Sequence, residues 1–120
     1  MLRPALALIA LSLLAAPAQA AEKRVWRVDS VIATRTGDNV VVQVKGAVQS
    51  GGWSHARLKT ARGDGRTLVV EFLAQPPSPT ANVITALLPV TAKITLRGGR
   101  GALAVKALAE ANEVTAQILH

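Results

Sequence analysis

Val40-Val41-Val42-Gln43-Val44-Lys45-Gly46-Ala47-Val48-Gln49 puts Val40, Val42, Val44 and Val48 on one side of an extended chain, and Gln43, Lys45 and Gln49 on the other. Alternation of this kind marks a half-buried β-strand, and β-branched valine suits a pleated, half-covered surface. The same period recurs along the chain. Thr91–Arg97 sets Ala92, Ile94 and Leu96 against Lys93, Thr95 and Arg97, and Thr67–Ala74 sets Leu68, Val70 and Phe72 against Glu71. Ser54–Lys59 turns Ala56 and Leu58 inward and His55, Arg57 and Lys59 outward. Val25–Ala33 places Trp26, Val28 and Ile32 opposite Arg27 and Asp29, while Val83–Leu88 is nearly all apolar and reads as a buried strand.

Turn-forming clusters separate these runs: Thr36-Gly37-Asp38-Asn39, Ser50-Gly51-Gly52, Gly63-Asp64-Gly65, Gln75-Pro76-Pro77-Ser78-Pro79 and Gly98-Gly99-Arg100-Gly101. Asp-Gly supplies the positive φ that hairpins use, and the proline run cannot pair within a central strand, so it reads as a loop. Residues 102–119 admit two readings. As a helix they carry Lys106, Glu110, Glu113 and Gln117 opposite Leu103, Ala107, Val114 and Ile118, and Ala and Glu favour helix by propensity. As a strand they turn Leu103, Val105 and Ala107 inward and end near Asn112; six preceding strands favour a seventh. About seven short strands divided by turns predict an all-β fold, an immunoglobulin-like two-sheet sandwich, with a small barrel as the competitor.

Ahead of the strands, Met1–Ala20 has the make-up of a signal peptide: Arg3, an apolar run from Ala5 to Ala16, and Ala18-Gln19-Ala20 before the cleavage point. The apolar run is shorter than the roughly 20 residues a membrane-spanning helix needs. The expectation is a single domain over 21–120, free of a membrane span, in the periplasm or secreted. Loss of Arg3 leaves 13 basic and 7 acidic side chains, a net charge of +6. The sequence has no cysteine, which removes disulfides, thiol catalysis and cysteine-based zinc sites. Trp26, Trp53 and Phe72 are its only aromatics, so the core rests on Val, Leu, Ile and Ala.

Gly46-Ala47-Val48-Gln49-Ser50-Gly51-Gly52-Trp53-Ser54, with Leu58, Glu71-Phe72, Pro76-Pro77 and Asn112, resembles a group of uncharacterised exported bacterial proteins. The resemblance covers most of residues 21–120. It implies a β-sandwich in the cell envelope and brings no catalytic residues.

Catalytic chemistry has little to build on. The histidines are His55 and the terminal His120. Ser54 or Ser50 beside His55 lacks a nucleophile elbow, and neighbours on a strand point to opposite faces. Asp29 and Glu71 lie mid-strand while Asp38 and Asp64 sit in turns, where Asp serves local hydrogen bonding. No metal-ligand spacing is present, and no cofactor is expected. Arg62-Gly63-Asp64 spells the tripeptide that integrins read, but turns select Gly and Asp on their own account. Trp53, entering the third strand after two glycines, either plugs the end of the core or stands as a stacking platform for a sugar or peptide.

Charge gives the sharpest pattern. If strands three, six and seven share a sheet, as in the constant-type immunoglobulin topology, then His55, Arg57, Lys59, Lys93, Arg97 and Lys106 gather on one face. Glu22, Asp29 and Glu71 then fall on the other sheet. Such a face attracts an anionic envelope polymer or an acidic protein partner; the alternative role of these cations is solubility and protection of strand edges. Nucleic acid fits poorly, because the outward rows lack interleaved aromatics. The expected function is a non-catalytic binding or accessory module. A protease inhibitor presenting Ser50–Ser54 and Gln75–Asn82 comes second, provided the two loops share one end, and a hydrolase third. Mass spectrometry of the protein from an envelope fraction should find Ala21 as its first residue; an intact Met1 or Leu2 there would contradict export with cleavage.

Overall fold

Alternating valines draw the chain into β3 (Asn39–Ser50), where Val40, Val42, Val44 and Val48 are buried. In the computed structural model, which describes residues 21–98 and 101–120, the remaining strands are β1 (Lys23–Arg24), β2 (Arg27–Thr36), β4 (Ser54–Ala61), β5 (Thr67–Gln75), β6 (Thr85–Arg97), β7 (Ala104–Leu108) and β8 (Glu113–Leu119). The expected signal peptide, its cleavage point and Gly99-Arg100 lie outside the described residues. The fold is all-β, and among the described residues no helix is long and apolar enough to cross a membrane.

Three antiparallel hairpins, β2–β3, β4–β5 and β7–β8, supply the framework. The β7–β8 hairpin enters between the other two. β7 runs parallel to β5, from Thr67↔Ala104 to Glu71↔Leu108, and β8 runs parallel to β2 at Ala33↔Ile118 and Thr34↔Leu119. β6 pairs with the far side of β3. The order across the sheet is therefore β4-β5-β7-β8-β2-β3-β6, with β1 continuing along β5 where β7 stops. The sheet curls into a half-barrel, bringing its two edge strands, β4 and β6, into contact. Val25, Val28, Val31, Leu58, Val70, Phe72, Val105 and Ile118 fill the inside with the β3 valines, and no polar or charged described residue is buried.

Several expectations change here. The strands pair in one mixed sheet, where an immunoglobulin-like sandwich would have two antiparallel ones, because the C-terminal hairpin inserts centrally and pairs in parallel on both sides. The strands expected as third, sixth and seventh are β4, β6 and β7, and they share no ladder: β4 pairs with β5, β6 with β3, and β7 with β5 and β8. Residues 102–119 form neither the helix nor a single strand but two strands around the turn at 109–112. Val83–Leu88 and Thr91–Arg97 are not two strands; most of the first joins the second in β6, which runs through Pro89. An edge strand tolerates proline because one side needs no donors. Val83 and Ile84 precede β6 and, with Leu87 near its start, are exposed rather than buried. In β2 a bulge between Val28 and Ser30 shifts the alternation, so Val28, Val31 and Ala33 are buried while Ile32 faces solvent.

The turn of the inserted hairpin is fastened at that bulge. The Asn112 carboxamide accepts from the Val28 N–H at 2.9 Å and donates to the Val28 carbonyl at 2.9 Å. The backbone N–H groups of Glu110 and Ala111 donate to the carbonyls of Val25 and Trp26. Gly46, opposite Val28 in the register, leaves no room for a side chain, since a Cβ there would lie 2.0 Å from the Arg27 carbonyl oxygen. Asn112→Ala should lower stability by about 1–2 kcal/mol, the cost of backbone groups left to weaker partners. Asn112→Asp should cost more, because it sets a carboxylate oxygen against the Val28 carbonyl. Gly46→Ala should cost upwards of about 2 kcal/mol, since backbone rather than a flexible side chain must move. Urea denaturation of the three variants checks the order; an unchanged midpoint for Asn112→Asp would contradict the two-point clasp.

Candidate functional site

On the outer surface, β3 and β6 set Lys45 opposite Thr91, Gln43 opposite Lys93, Val41 opposite Thr95 and Asn39 opposite Arg97. Across the other ladder, Ser30, Ile32, Thr34 and Thr36 of β2 extend the same rows. Neither β3 nor β6 contains an acidic residue, nor does β2 from Ser30 to Thr36. Lys45, Lys93 and Arg97 are exposed, and none has an ion-pair partner among the described residues. Threonine and glutamine between them offer donors and acceptors without opposing charge. Lys45 and Lys93 are diagonal neighbours across the ladder, within about a Debye length of ~8 Å at physiological salt, so their potentials add, and Arg97 lengthens the positive strip along β6.

β4 adds its cations from the facing edge, but under different conditions. Arg57 donates through Nε and Nη2 to both carboxylate oxygens of Glu22. Lys59 stands opposite Glu71 in the β4–β5 register, and Glu71 also lies 3.8 Å from Arg24. Lys106, on β7, lies 3.8 Å from Glu113. Five of the six expected residues thus divide. Lys93 and Arg97 join Lys45 on an acid-free surface, whereas Arg57, Lys59 and Lys106 stand among carboxylates. Glu22 and Glu71, expected on a separate sheet, sit beside the β4 cations because β5 pairs with both β4 and β1.

His55 takes a left-handed backbone, φ 55°, where the β4–β5 register slips between Ser54 and Arg57. That kink defeats the opposite-faces argument: His55 Nδ1 lies 3.0 Å from Ser54 Oγ, with both residues exposed. Asp64 of the Arg-Gly-Asp turn accepts from the N–H groups of Arg66 at 2.8 Å and Thr67 at 2.7 Å, so its carboxylate serves its own turn. Among the described residues no cluster of His, Asp and Glu could hold a metal ion.

Trp53 is half-buried and packs against the core. Gly52 places it: with φ 87°, Gly52 passes where a Cβ would lie 2.7 Å from Pro77 and 2.9 Å from Val83. The exposed part of Trp53 lines an open cavity of about 570 Å³ with Lys23, Arg24 and Glu110. The same contacts, with the Gly51 N–H donating to the Ile84 carbonyl at 3.0 Å, put the Ser50–Ser54 and Gln75–Asn82 loops at one end of the half-barrel.

Sequence reasoning saw Lys45 as outward but could not join it to Lys93, because strand order decides that neighbourhood. Lys23, Arg24 and Glu110 were missed around Trp53, for they come from chain segments far apart. No protein-family model, curated protein or solved structure matches the chain.

The hydrogen bonds from Arg57, with the fields of Arg57, Lys59 and His55, hold the Glu22 carboxyl below its ordinary range. Backbone N–H donors from Arg66 and Thr67, with the fields of Arg66 and Lys106, do the same for Asp64. A carboxyl depressed in the folded state adds stability above its unfolded pKa, near about 4, and loses it as pH falls through the folded value. Glu22→Gln with Asp64→Asn should therefore flatten the fall in thermal midpoint below about pH 4 and narrow the gap to the parent as pH drops. Parallel curves for variant and parent would contradict both assignments.

Proposed function

We propose that this protein is an exported, non-catalytic binding module of the bacterial envelope that holds an anionic polymer on the outer face of β3 and β6. The observation that carries the proposal is the placement of Lys45, Lys93 and Arg97 on adjoining strands that contain no acidic residue. Strand edges can be kept soluble with charges of either sign, which leaves the single sign of Lys93 and Arg97 on edge strand β6 unexplained, and Lys45 stands on β3, an interior strand with no edge to protect. A surface with one sign of charge raises the local concentration of polyanions and makes their binding salt-dependent. The rows of Thr and Gln supply hydrogen bonds along an extended ligand.

A second reading, a protease inhibitor, draws on one observation: the Ser50–Ser54 and Gln75–Asn82 loops meet at one end. They spend their inner surfaces on each other, through Gly52 against Pro77, which favours the polymer reading.

Replacing Lys45, Lys93 and Arg97 by Gln should leave the fold nearly intact, since outward substitutions cost within about 0.5 kcal/mol each. It should lower the salt concentration needed to elute the protein from a dextran sulfate column. Replacing Arg62, Arg66 and Lys106 removes the same charge and should shift elution much less. Equal shifts would mean that net charge alone governs retention and would overturn the reading. Inhibition of a serine, cysteine or metalloprotease at stoichiometric amounts would favour the loops instead.

A further inference from the structure

The cavity beside Trp53 is lined by four residues that three separate chain segments hold in place. β1 pairs Lys23 with Ala74 and Arg24 with Leu73 on β5. Glu110 is fixed by its N–H bond to the Val25 carbonyl at 2.9 Å. Trp53 is fixed by Gly52, wedged between Pro77 and Val83, and by its own packing on the core. A constellation held by backbone pairing is preorganised, which is what a binding site requires. Its polar groups are also uncommitted. Among the described residues the Trp53 indole N–H has no hydrogen-bond partner, and the side chains of Lys23 and Glu110 have no ion-pair partner. Arg24 is shared with Glu71 at 3.8 Å.

We infer that this cavity is a subsite for one sugar ring bearing a carboxylate, so that the polymer held by the protein is an acidic polysaccharide. This rests on the reading above and names the chemical class of its ligand. The indole face offers a flat apolar surface to the C–H face of a pyranose, and its N–H stays available at the edge. Lys23 meets the sugar carboxylate and Glu110 accepts from ring hydroxyls, while Arg24, next to Lys23 on β1, turns toward Glu71. A polyphosphate has neither the apolar ring face nor the hydroxyls and gains nothing from Trp53 or Glu110. The mix of one aromatic with both signs of charge in an open cavity of about 570 Å³ separates this site from the acid-free face, which offers cations, Thr and Gln but no aromatic surface.

The test uses the Trp26→Phe variant, in which Trp53 is the sole indole, titrated with unesterified trigalacturonate while its fluorescence is followed. Saturable change is expected, with no response to the methyl-esterified trimer or to polyphosphate. In that background Lys23→Gln and Glu110→Gln, both exposed positions outside the core, should each weaken binding at least threefold. Trp53→Ala, followed calorimetrically, should weaken it at least fivefold, and Trp53→Phe should recover part of the loss. The Lys45, Lys93 and Arg97 triple variant should bind the trimer as the parent does. Silence from trigalacturonate, an equal response to polyphosphate, or unchanged binding in Lys23→Gln and Glu110→Gln would overturn the inference. If the trimer fails while dextran sulfate retention still depends on Lys45, Lys93 and Arg97, the subsite falls and the polymer-binding face stands. If that dependence is absent too, both fall.

Discussion

The Asn112 carboxamide does for Val28 what a neighbouring strand does for the rest of β2: it occupies both the N–H and the carbonyl. An amide side chain carries the donor and the acceptor needed to imitate a backbone. The clasp sits where the β2–β3 ladder slips, between Val28 and Ser30, so it closes the point at which regular pairing leaves groups unmatched. From it the β7–β8 hairpin runs between β5 and β2, parallel to each. Without that hairpin the β4–β5 and β2–β3–β6 units share no hydrogen-bonded ladder. With it they form one sheet, and its curl brings β4 against β6 and closes one valine-rich core.

The electrostatic layout follows from this order. β3 and β6 are neighbours because β6 adds to the open side of the first hairpin, and both lack acidic residues, so their lysines and arginine stand without carboxylates. β4 lacks acidic residues as well, yet its cations are met by Glu22 from the N-terminal segment and Glu71 from β5. Two strands of similar composition therefore differ in surface potential through their neighbours alone. The difference makes the β3–β6 face the better surface for a polyanion, and leaves Arg57 a structural role in tying the N-terminal segment to β4.

Most strands were legible in the sequence because a half-buried strand writes its own alternation: the β3 valines, Leu58, Val70, Phe72 and Ala92 all face inward as their period demands. The period failed in two ways. A bulge has no signature of its own, so Ile32 was placed inward and the shift after Val28 went unseen. An apolar run says nothing about whether a neighbour covers it, so Val83, Ile84 and Leu87 read as core although they stand at the sheet edge. At 102–119 tertiary pairing on both sides of the hairpin outweighs the helix preference of Ala and Glu, as the six preceding strands favoured, but the turn at 109–112 and the second strand β8 were not foreseen. Lys93 and Arg97 were found as outward cations, and Lys45 was seen without its neighbours. The surroundings of Trp53 were illegible, since Lys23, Arg24 and Glu110 are close only after β1 has paired and the 109–112 turn has docked.

The single sheet, its closed core and the site beside Trp53 all depend on the C-terminal hairpin lying between β5 and β2, and backbone nuclear Overhauser contacts read that placement directly. Parallel-pairing contacts are expected between Val70 and Ala107 and between Ala33 and Ile118, together with the antiparallel set linking Val105 to Ala116. Contacts of β7 with β6, and none with β5, would show β4, β6 and β7 assembling as in an immunoglobulin-like sandwich and would contradict the inserted hairpin.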